Sequence, residues 1–145
     1  MTVPKCPWLT AAVFNVGVSD TMFMSVCNNK FSTDPPSDVT LPFATARTVT
    51  NANFPNHGGA WRGVVQIDGW AATGISGTDP RMLAWNIAAE AGRAFTHVRS
   101  HMFEGHRYSM KTIEGPIEAP ADTSRGQDSP LYRAYVRIEV TAKVA

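Results

Sequence analysis

Apolar and polar residues alternate most regularly in the last segment of the chain. One series of alternate positions is apolar throughout: Tyr132, Ala134, Val136, Ile138, Val140, Ala142 and Val144. The intervening series is mainly polar and contains Arg133, Arg137 and Glu139. A repeat of two residues is the side-chain repeat of a β-strand. The segment therefore predicts a long strand with one buried and one polar face, typical of an antiparallel sheet that helices cover on one side.

Two other segments show the apolar spacing of helices. The clearer one predicts a helix over residues 80–96, where apolar residues recur three or four positions apart. Asp79 suits the N-cap of this helix and Pro80 suits its first turn. Residues 7–18 are apolar on several sides and predict a second, more buried helix.

Further strands and loops follow from shorter patterns. Residues 43–49 and 62–70 predict two antiparallel strands joined by a long loop, and 108–113 a strand that ends at Gly115-Pro116. In the first of these strands Phe43, Thr45, Arg47 and Val49 are predicted to share one face. Residues 22–31 alternate imperfectly. Prolines, glycines and short polar residues predict loops over 32–38, 100–105 and 118–130.

The order helix, strands, helix, strands predicts an α+β fold. We expect an antiparallel or mixed β-sheet packed on one face by two helices. The 145 residues match the size of one domain, so a single domain over 1–145 is expected.

Composition narrows the class of function. The net charge of +1 argues against electrostatic capture of nucleic acid as the main activity. Charged residues make up only 17% of the chain, against about 25% in typical soluble domains, which favours a surface partly buried by other subunits. Cys6 and Cys27 are expected to be reduced, and no apolar run is long enough to indicate a membrane span.

Candidate catalytic chemistry is sparse. His97, His101 and His106 suggest a metal site with Glu104 as the nearest carboxylate, but their spacing completes no known ligand pattern. Histidines near a helix end are also typical of a simple basic helix terminus. A small metal-dependent hydrolase that uses His97, His101 and Glu104 stays an alternative, as does a ligand-binding domain with an apolar pocket.

Trp61 and Arg62 are candidate interface residues, because Trp and Arg are enriched among the residues that contribute most to protein interfaces. Packing within their own strand is the competing interpretation. The polar series of the last strand, with Arg133, Arg137 and Glu139, could face solvent, DNA or a neighbouring subunit.

Several segments together resemble one protein family. They read LPFATAR (41–47), VVQIDGWA (64–71), AWNIAAEAGRAF (84–95), Gly115-Pro116 and LYRAYVRIEV (131–140). This order is similar to that of the tail terminator proteins of long-tailed bacteriophages, also called tail completion or neck proteins. The resemblance extends over residues 7–144 and is strongest over 41–95, whereas 18–40 form a longer, proline-rich insertion.

The resemblance implies a structural virion protein without enzymatic activity, cofactor or metal. It implies a homohexameric ring at the head-proximal end of the tail tube, which ends tube polymerisation and joins tail to head. The partners would be further copies of the chain, the tail tube protein and the head completion (stopper) protein. DNA would pass through the channel without sequence-specific binding. The ring would assemble in the host cytoplasm, with no membrane involved.

Under this resemblance, loops 51–61 and 118–130 are expected to contact the tube or neck partners. The named contact residues are Asn53, His57, Trp61, Arg62, Arg125 and Asp128. Arg133, Arg137 and Glu139 would lie on a channel or inter-subunit face. The closest alternative is another head–tail connector, such as a head completion protein or a tail-tube-like protein.

Overall fold

A computed structural model describes residues 5–37, 39–53, 60–73, 77–124 and 130–145, with the backbone alone for 51–53. Within these residues the chain forms three helices and six strands. The helices are α1 (Leu9–Gly17), α2 (Thr21–Val26) and α3 (Pro80–Ala94). The strands are β1 (Phe31–Ser32), β2 (Phe43–Asn53), β3 (Ala60–Ala72), β4 (Val98–Phe103), β5 (His106–Asp122) and β6 (Leu131–Val144).

The strands form one mixed sheet in the order β1-β2-β3-β6-β5-β4. The short β1 pairs in parallel with β2, and the other neighbours pair antiparallel. Helix α3 packs on β3, β5 and β6, while α1 packs on β2 and β3. The predicted α+β class is therefore confirmed, with a mixed sheet and three helices instead of two. No helix in the described ranges is long and apolar enough to cross a lipid bilayer.

The apolar series of β6 faces the helices, as its alternation predicts. Ala134, Val136, Ile138, Val140 and Ala142 are fully buried in one core with side chains from α1, α2 and α3. The buried part of this series is shorter than the strand, because Tyr132 near its start is half-buried and Val144 at its end is exposed. The repeat of two thus identified the core face of the central strand.

Helix α3 begins where its sequence predicts. The Asp79 carboxylate accepts a hydrogen bond from the backbone N–H of Arg81 at 2.9 Å, and Pro80 stands in the first turn. The helix lies close on the sheet at Gly69 of β3, where an added Cβ would be 2.6 Å from the Ala84 carbonyl oxygen. Glycine at this position allows the close approach of helix and strand.

Two predicted loops are wrong. The connector predicted at 100–105 contains most of β4, which turns at Glu104-Gly105 into β5. Both turn residues have positive φ, a conformation that glycine adopts readily. The loop predicted at 118–130 begins as strand, because β5 continues to Asp122.

The prolines of β5 misled the prediction. The register with β6 shifts between Glu114 and Ile117, an interval that contains Pro116. It shifts again between Ala119 and Asp122, an interval that contains Pro120. Strand β4 pairs with β5 only as far as Met110. Proline lacks an N–H but is tolerated at a strand edge or a bulge, so β5 can continue through both prolines.

The first third of the chain also differs from the prediction. Within the imperfectly alternating residues 22–31 lies α2, whose N-cap Asp20 accepts a hydrogen bond from the Phe23 N–H at 3.0 Å. The helix has six residues and buries only Phe23, too short a pattern to show a helical period. In β2, a register shift between Thr48 and Thr50 interrupts the alternation at Val49.

Candidate interaction surface

The helices leave one face of the sheet uncovered, which we call the open face. It is formed by the strand positions that alternate with the core residues. Its charged members, together with Gln66, are Arg47 (β2), Arg62, Gln66 and Asp68 (β3), Arg107, Lys111, Glu114 and Asp122 (β5), and Arg133, Arg137, Glu139 and Lys143 (β6). Arg133, Arg137 and Glu139, predicted from the sequence to share a polar face, thus lie with charged residues of three other strands.

A row of polar contacts crosses the middle of the open face. The Gln66 amide donates a hydrogen bond to Asp68 Oδ1 at 2.9 Å. Arg137 Nε donates to Gln66 Oε1 at 3.1 Å, and its Nη1 lies 3.4 Å from Glu114 Oε2. The row links β3, β6 and β5 through side chains, in addition to the backbone ladder.

Asp68 is a buried carboxylate surrounded by arginines. Its residue is only 2% exposed, and this burial raises the pKa of the carboxyl group. The hydrogen bond from Gln66 and the charges of Arg133, Arg47 and Arg137 oppose the pKa rise in part. Arg133 Nη1 lies 3.9 Å from Asp68 Oδ1.

Two arginines of β6 lie against aromatic rings. The Arg133 guanidinium is 5.3 Å from the centre of the Trp70 ring, and that of Arg137 is 5.5 Å from the centre of the Tyr135 ring. Trp70 is itself held by a hydrogen bond from its indole N–H to Thr45 Oγ1 at 2.9 Å. Such contacts restrict the arginine side chains and keep their charge on the surface of the sheet.

The other half of the open face is more exposed. Glu139 Oε1 lies 4.0 Å from Arg62 Nε and 3.7 Å from Lys111 Nζ. Next in the register is the pair Arg107 and Lys143, both exposed. Solvent-exposed ion pairs of this kind contribute little to stability, so these residues are available for interaction with a partner.

The predicted interface pair is divided between the two faces. Trp61 is 6% exposed and belongs to the core, with its ring 5.7 Å from that of His106. Its position agrees with the competing interpretation, packing within the subunit. Arg62 points the other way, and 54% of its side chain is exposed on the open face.

The remaining predicted contact residues are described in part or not at all. The backbone of Asn53 pairs with Trp61 at the end of the hairpin of β2 and β3. His57, Arg125 and Asp128 lie outside the described residues.

The three candidate histidines lie in different parts of the fold. His97 follows α3, His101 in β4 lies 2.7 Å from Asn15 Oδ1, and His106 in β5 lies 3.2 Å from the Glu104 carbonyl oxygen. In the described part of the chain, no three His, Cys, Asp or Glu side chains come together as possible metal ligands. The arrangement of these histidines therefore offers no support to the metal-dependent hydrolase.

A groove of about 700 Å³ lies beside the open face, where β4 bulges away from β5. It is lined mainly by hydroxyl-bearing and charged side chains, among them Arg99, Ser109, Lys111, Glu139 and Thr141. Val98 and Met110 are the apolar residues of its lining.

Sequence reasoning missed the residues that connect the open face. Asp68 and Gln66 stand in the middle of a predicted strand, where a buried carboxylate is unusual. Their position two residues apart was a signal that both face the same side. The pairing with Arg137 and Glu114 could not be predicted, because it depends on the register of three strands.

Comparisons with known proteins bear on the fold. No protein-family description matches the sequence, and no curated protein matches it. A chain in a solved structure described as "Virion of native gene transfer agent (GTA) particle" superposes with a TM-score of 0.58 at 14% identity. The superposition covers 93% of this chain and 94% of that one. The two chains share a fold. A second solved chain gives a TM-score of 0.47 at 12% identity, over 90% and 94% of the two lengths.

Proposed function

We propose that the chain is a structural virion component that caps the head-proximal end of a phage-type tail tube as a ring, with six copies as the expected number. The cap ends tube polymerisation and joins tail to head. One observation carries the proposal: the fold of a gene transfer agent virion chain matches this chain along 93% of its length. The resemblance of the sequence to tail terminators supplies the specific role.

The surface supports assembly with other subunits. Large apolar side chains are exposed on two parts of the helical side, Met82 and Trp85 on α3 and Val18 and Met22 around α2. Exposed apolar groups that cluster on a small domain are typical of protein contact sites. A closed ring needs two different surfaces on each subunit, and these two parts can supply them.

The edges of the sheet offer a second means of contact. Strand β1 pairs with only Ala44 and Thr45, so within the described chain β2 has no strand partner on its outer side from Ala46 onward. Strand β4 forms the opposite edge. Pairing of one subunit's β4 with the next subunit's β2 would extend the sheet around a ring.

In this ring the segments 51–61 and 118–130 contact the tail tube protein and the head completion protein. Arg62, directly after the first segment, is exposed, whereas Trp61 at the end of that segment is buried. Arg133, Arg137 and Glu139 lie on the channel or inter-subunit face. DNA passes through the channel without sequence-specific binding.

Another head–tail connector is the second candidate, because the likeness is to one chain of a whole particle and not to a named part of it. A head completion protein or a tail-tube-like protein would use the same kind of assembling surface. The candidates differ in the particle that forms without the chain. Loss of a terminator gives overlong or unjoined tails, whereas loss of a head completion protein gives heads that leak DNA.

The proposal is tested by the mass of the purified full chain, measured by light scattering alone and with the tail tube protein of the same particle. A ring is expected in at least one condition, with a central opening in electron micrographs. A strict monomer in both conditions would contradict the proposal. Microscopy of particles that lack the chain then separates the terminator from the other connectors.

A further inference from the structure

Charge is distributed unevenly over the two sides of the sheet. The open face carries seven Lys and Arg (Arg47, Arg62, Arg107, Lys111, Arg133, Arg137, Lys143) and four carboxylates (Asp68, Glu114, Asp122, Glu139), a surplus of three positive charges. The rest of the described chain carries five Lys and Arg and six Asp and Glu, a deficit of one. A net charge near zero therefore conceals one cationic face.

We infer that the open face binds the phosphate backbone of nucleic acid without reading its sequence. A surplus of cations on one surface is the electrostatic feature by which proteins hold polyanions. Four carboxylates can neutralise at most four of the seven cations, so part of the positive charge is left for a ligand. The open face would thus contact DNA or RNA through its charge alone.

The positions of the cations suit an extended polyanion. Neighbouring strands lie about 4.8 Å apart, and side chains on one face of a strand repeat about every 6.7 Å. Arg62 and Lys111 flank Glu139 on the two strands beside β6, and Arg107 and Lys143 continue the same surface. The cations thus form an array across four strands instead of one pocket for a single anion.

Two of the arginines are held in place before any ligand binds. Arg133 lies over Trp70, and Arg137 lies over Tyr135 while it donates a hydrogen bond to Gln66. A side chain already restricted by stacking loses less conformational freedom on binding than a mobile one. Arg133 and Arg137 lie in the less exposed half of the open face, and their restricted side chains favour binding by that half.

An acidic protein surface is the competing partner for this face. The core of a protein–protein interface is depleted in charged residues, whereas interfaces with nucleic acid are strongly positive. On the open face the charged residues Arg47, Arg62, Arg107, Lys111 and Lys143 are exposed. The aromatic residues of the same face, Phe43, Trp70 and Tyr135, are buried or half-buried. The composition of the open face therefore favours nucleic acid. Only the position of this face in a channel rests on the proposed ring; the binding itself does not.

The test uses fluorescence anisotropy of the full-length chain with a labelled, mixed-sequence DNA duplex at low salt. A surplus of three charges predicts a slope of about −2.7 in log K against log salt, or about a fortyfold loss of affinity between 50 and 200 mM salt. The variant Arg107→Gln/Lys111→Gln/Lys143→Gln removes three exposed cations from the face. It should bind at least tenfold more weakly and show a shallower slope.

A matched control keeps the test specific to the face. Lys5→Gln/Lys30→Gln/Arg81→Gln removes the same net charge from outside the open face and should bind within about twofold of the parent. Glu114→Gln raises the surplus by one charge and should bind several-fold more tightly. Circular dichroism checks that each variant is folded.

Three results would overturn the inference. The first is that the parent chain does not bind the duplex at 50 mM salt. The second is an equal loss of affinity in both triple variants, and the third is a Glu114→Gln variant that binds no more tightly than the parent. Polyglutamate as the anisotropy competitor tests the alternative: face-dependent binding of polyglutamate without binding of DNA identifies an acidic protein partner. The mass measurement separates the two proposals. If the chain forms a ring that does not bind DNA, only this inference is wrong. If the chain is a monomer that binds DNA, only the proposed ring is wrong.

Discussion

The side-chain amide of Gln66 donates a hydrogen bond to the carboxylate of Asp68, 2.9 Å away and two residues further along the same strand. Both residues are buried although they lie on the face that no helix covers. The charges of Arg133, Arg47 and Arg137 act on the Asp68 carboxylate. The contact joins the buried centre of the open face to Arg137 and, through it, to Glu114.

Asp68 should make stability depend on pH. Its burial raises the pKa of the folded state above the unfolded value of about 3.9, so the folded chain binds more protons in that range. The contribution of Asp68 to the free energy of unfolding therefore falls as pH rises from the unfolded pKa through the raised folded pKa. Asp68→Asn removes this dependence.

Urea unfolding of both proteins at a series of pH values measures the effect. The free energy of unfolding of Asp68→Asn relative to the parent should increase as pH rises across that window and then level off. A difference that stays constant with pH, or decreases, would show that the carboxyl pKa is not raised. Asn is the suitable replacement because it keeps the shape and one acceptor for Gln66.

Gly69→Ala should destabilise the fold by about 1–3 kcal/mol. The added Cβ would lie 2.6 Å from both the Ala84 carbonyl oxygen and Ile87 Cβ, so α3 would have to move away from β3. Gly92→Ala is the control, since its Cβ would meet nothing closer than 3.6 Å and alanine favours a helix. Urea unfolding should show a loss for the first variant and none for the second.

Ile138→Ala should cost about 2–5 kcal/mol, because the side chain is fully buried on the helix-facing side of β6. The same substitution at Ile113, 47% exposed in β5, makes the control. We expect that control to lose less than about 1 kcal/mol, the range of strand propensity. Equal losses for the two variants would contradict the assignment of the core face.

Trp61 and Arg62 should respond differently to alanine. Trp61→Ala removes a core side chain and is expected to cost about 3–5 kcal/mol of unfolding free energy. Arg62→Ala, on the exposed face, should change stability by less than about 0.5 kcal/mol. If the 51–61 segment contacts the tube protein, Arg62→Ala should still weaken that association in a pull-down. Unchanged association would remove Arg62 from the proposed contact.

Several elements could be predicted because their signal is local. The strand at the end of the chain has a repeat of two that survives over its length, and α3 has both a helical spacing and an N-cap at Asp79. In a long segment, a few residues that break the repeat do not hide it. By contrast α2 has six residues, and β4 has a bulge between Val98 and His101, so neither shows a period.

The prolines of β5 illustrate a second limit. Pro116 and Pro120 indicate a loop when the sequence is considered alone. They are compatible with a strand here because β4 leaves that stretch of β5 at the edge of the sheet. A proline is tolerated in a strand where no neighbouring strand needs a hydrogen bond from its backbone nitrogen. That neighbouring strand comes from elsewhere in the chain, so the local sequence does not reveal it.

The sequence by itself determined the class of fold, the buried series of β6 and the start of α3, since each depends on residues close together in the chain. Only the tertiary structure decided that Trp61 is buried while Arg62 is exposed, and that the buried Asp68 lies near arginines of other strands. It also decided where the charge lies. A net charge of +1 is a sum over the chain, and the register of β2, β3, β6 and β5 sorts that sum into one cationic face. Strand pairing is a long-range property, because a shift of one residue would move every side chain to the other side of the sheet.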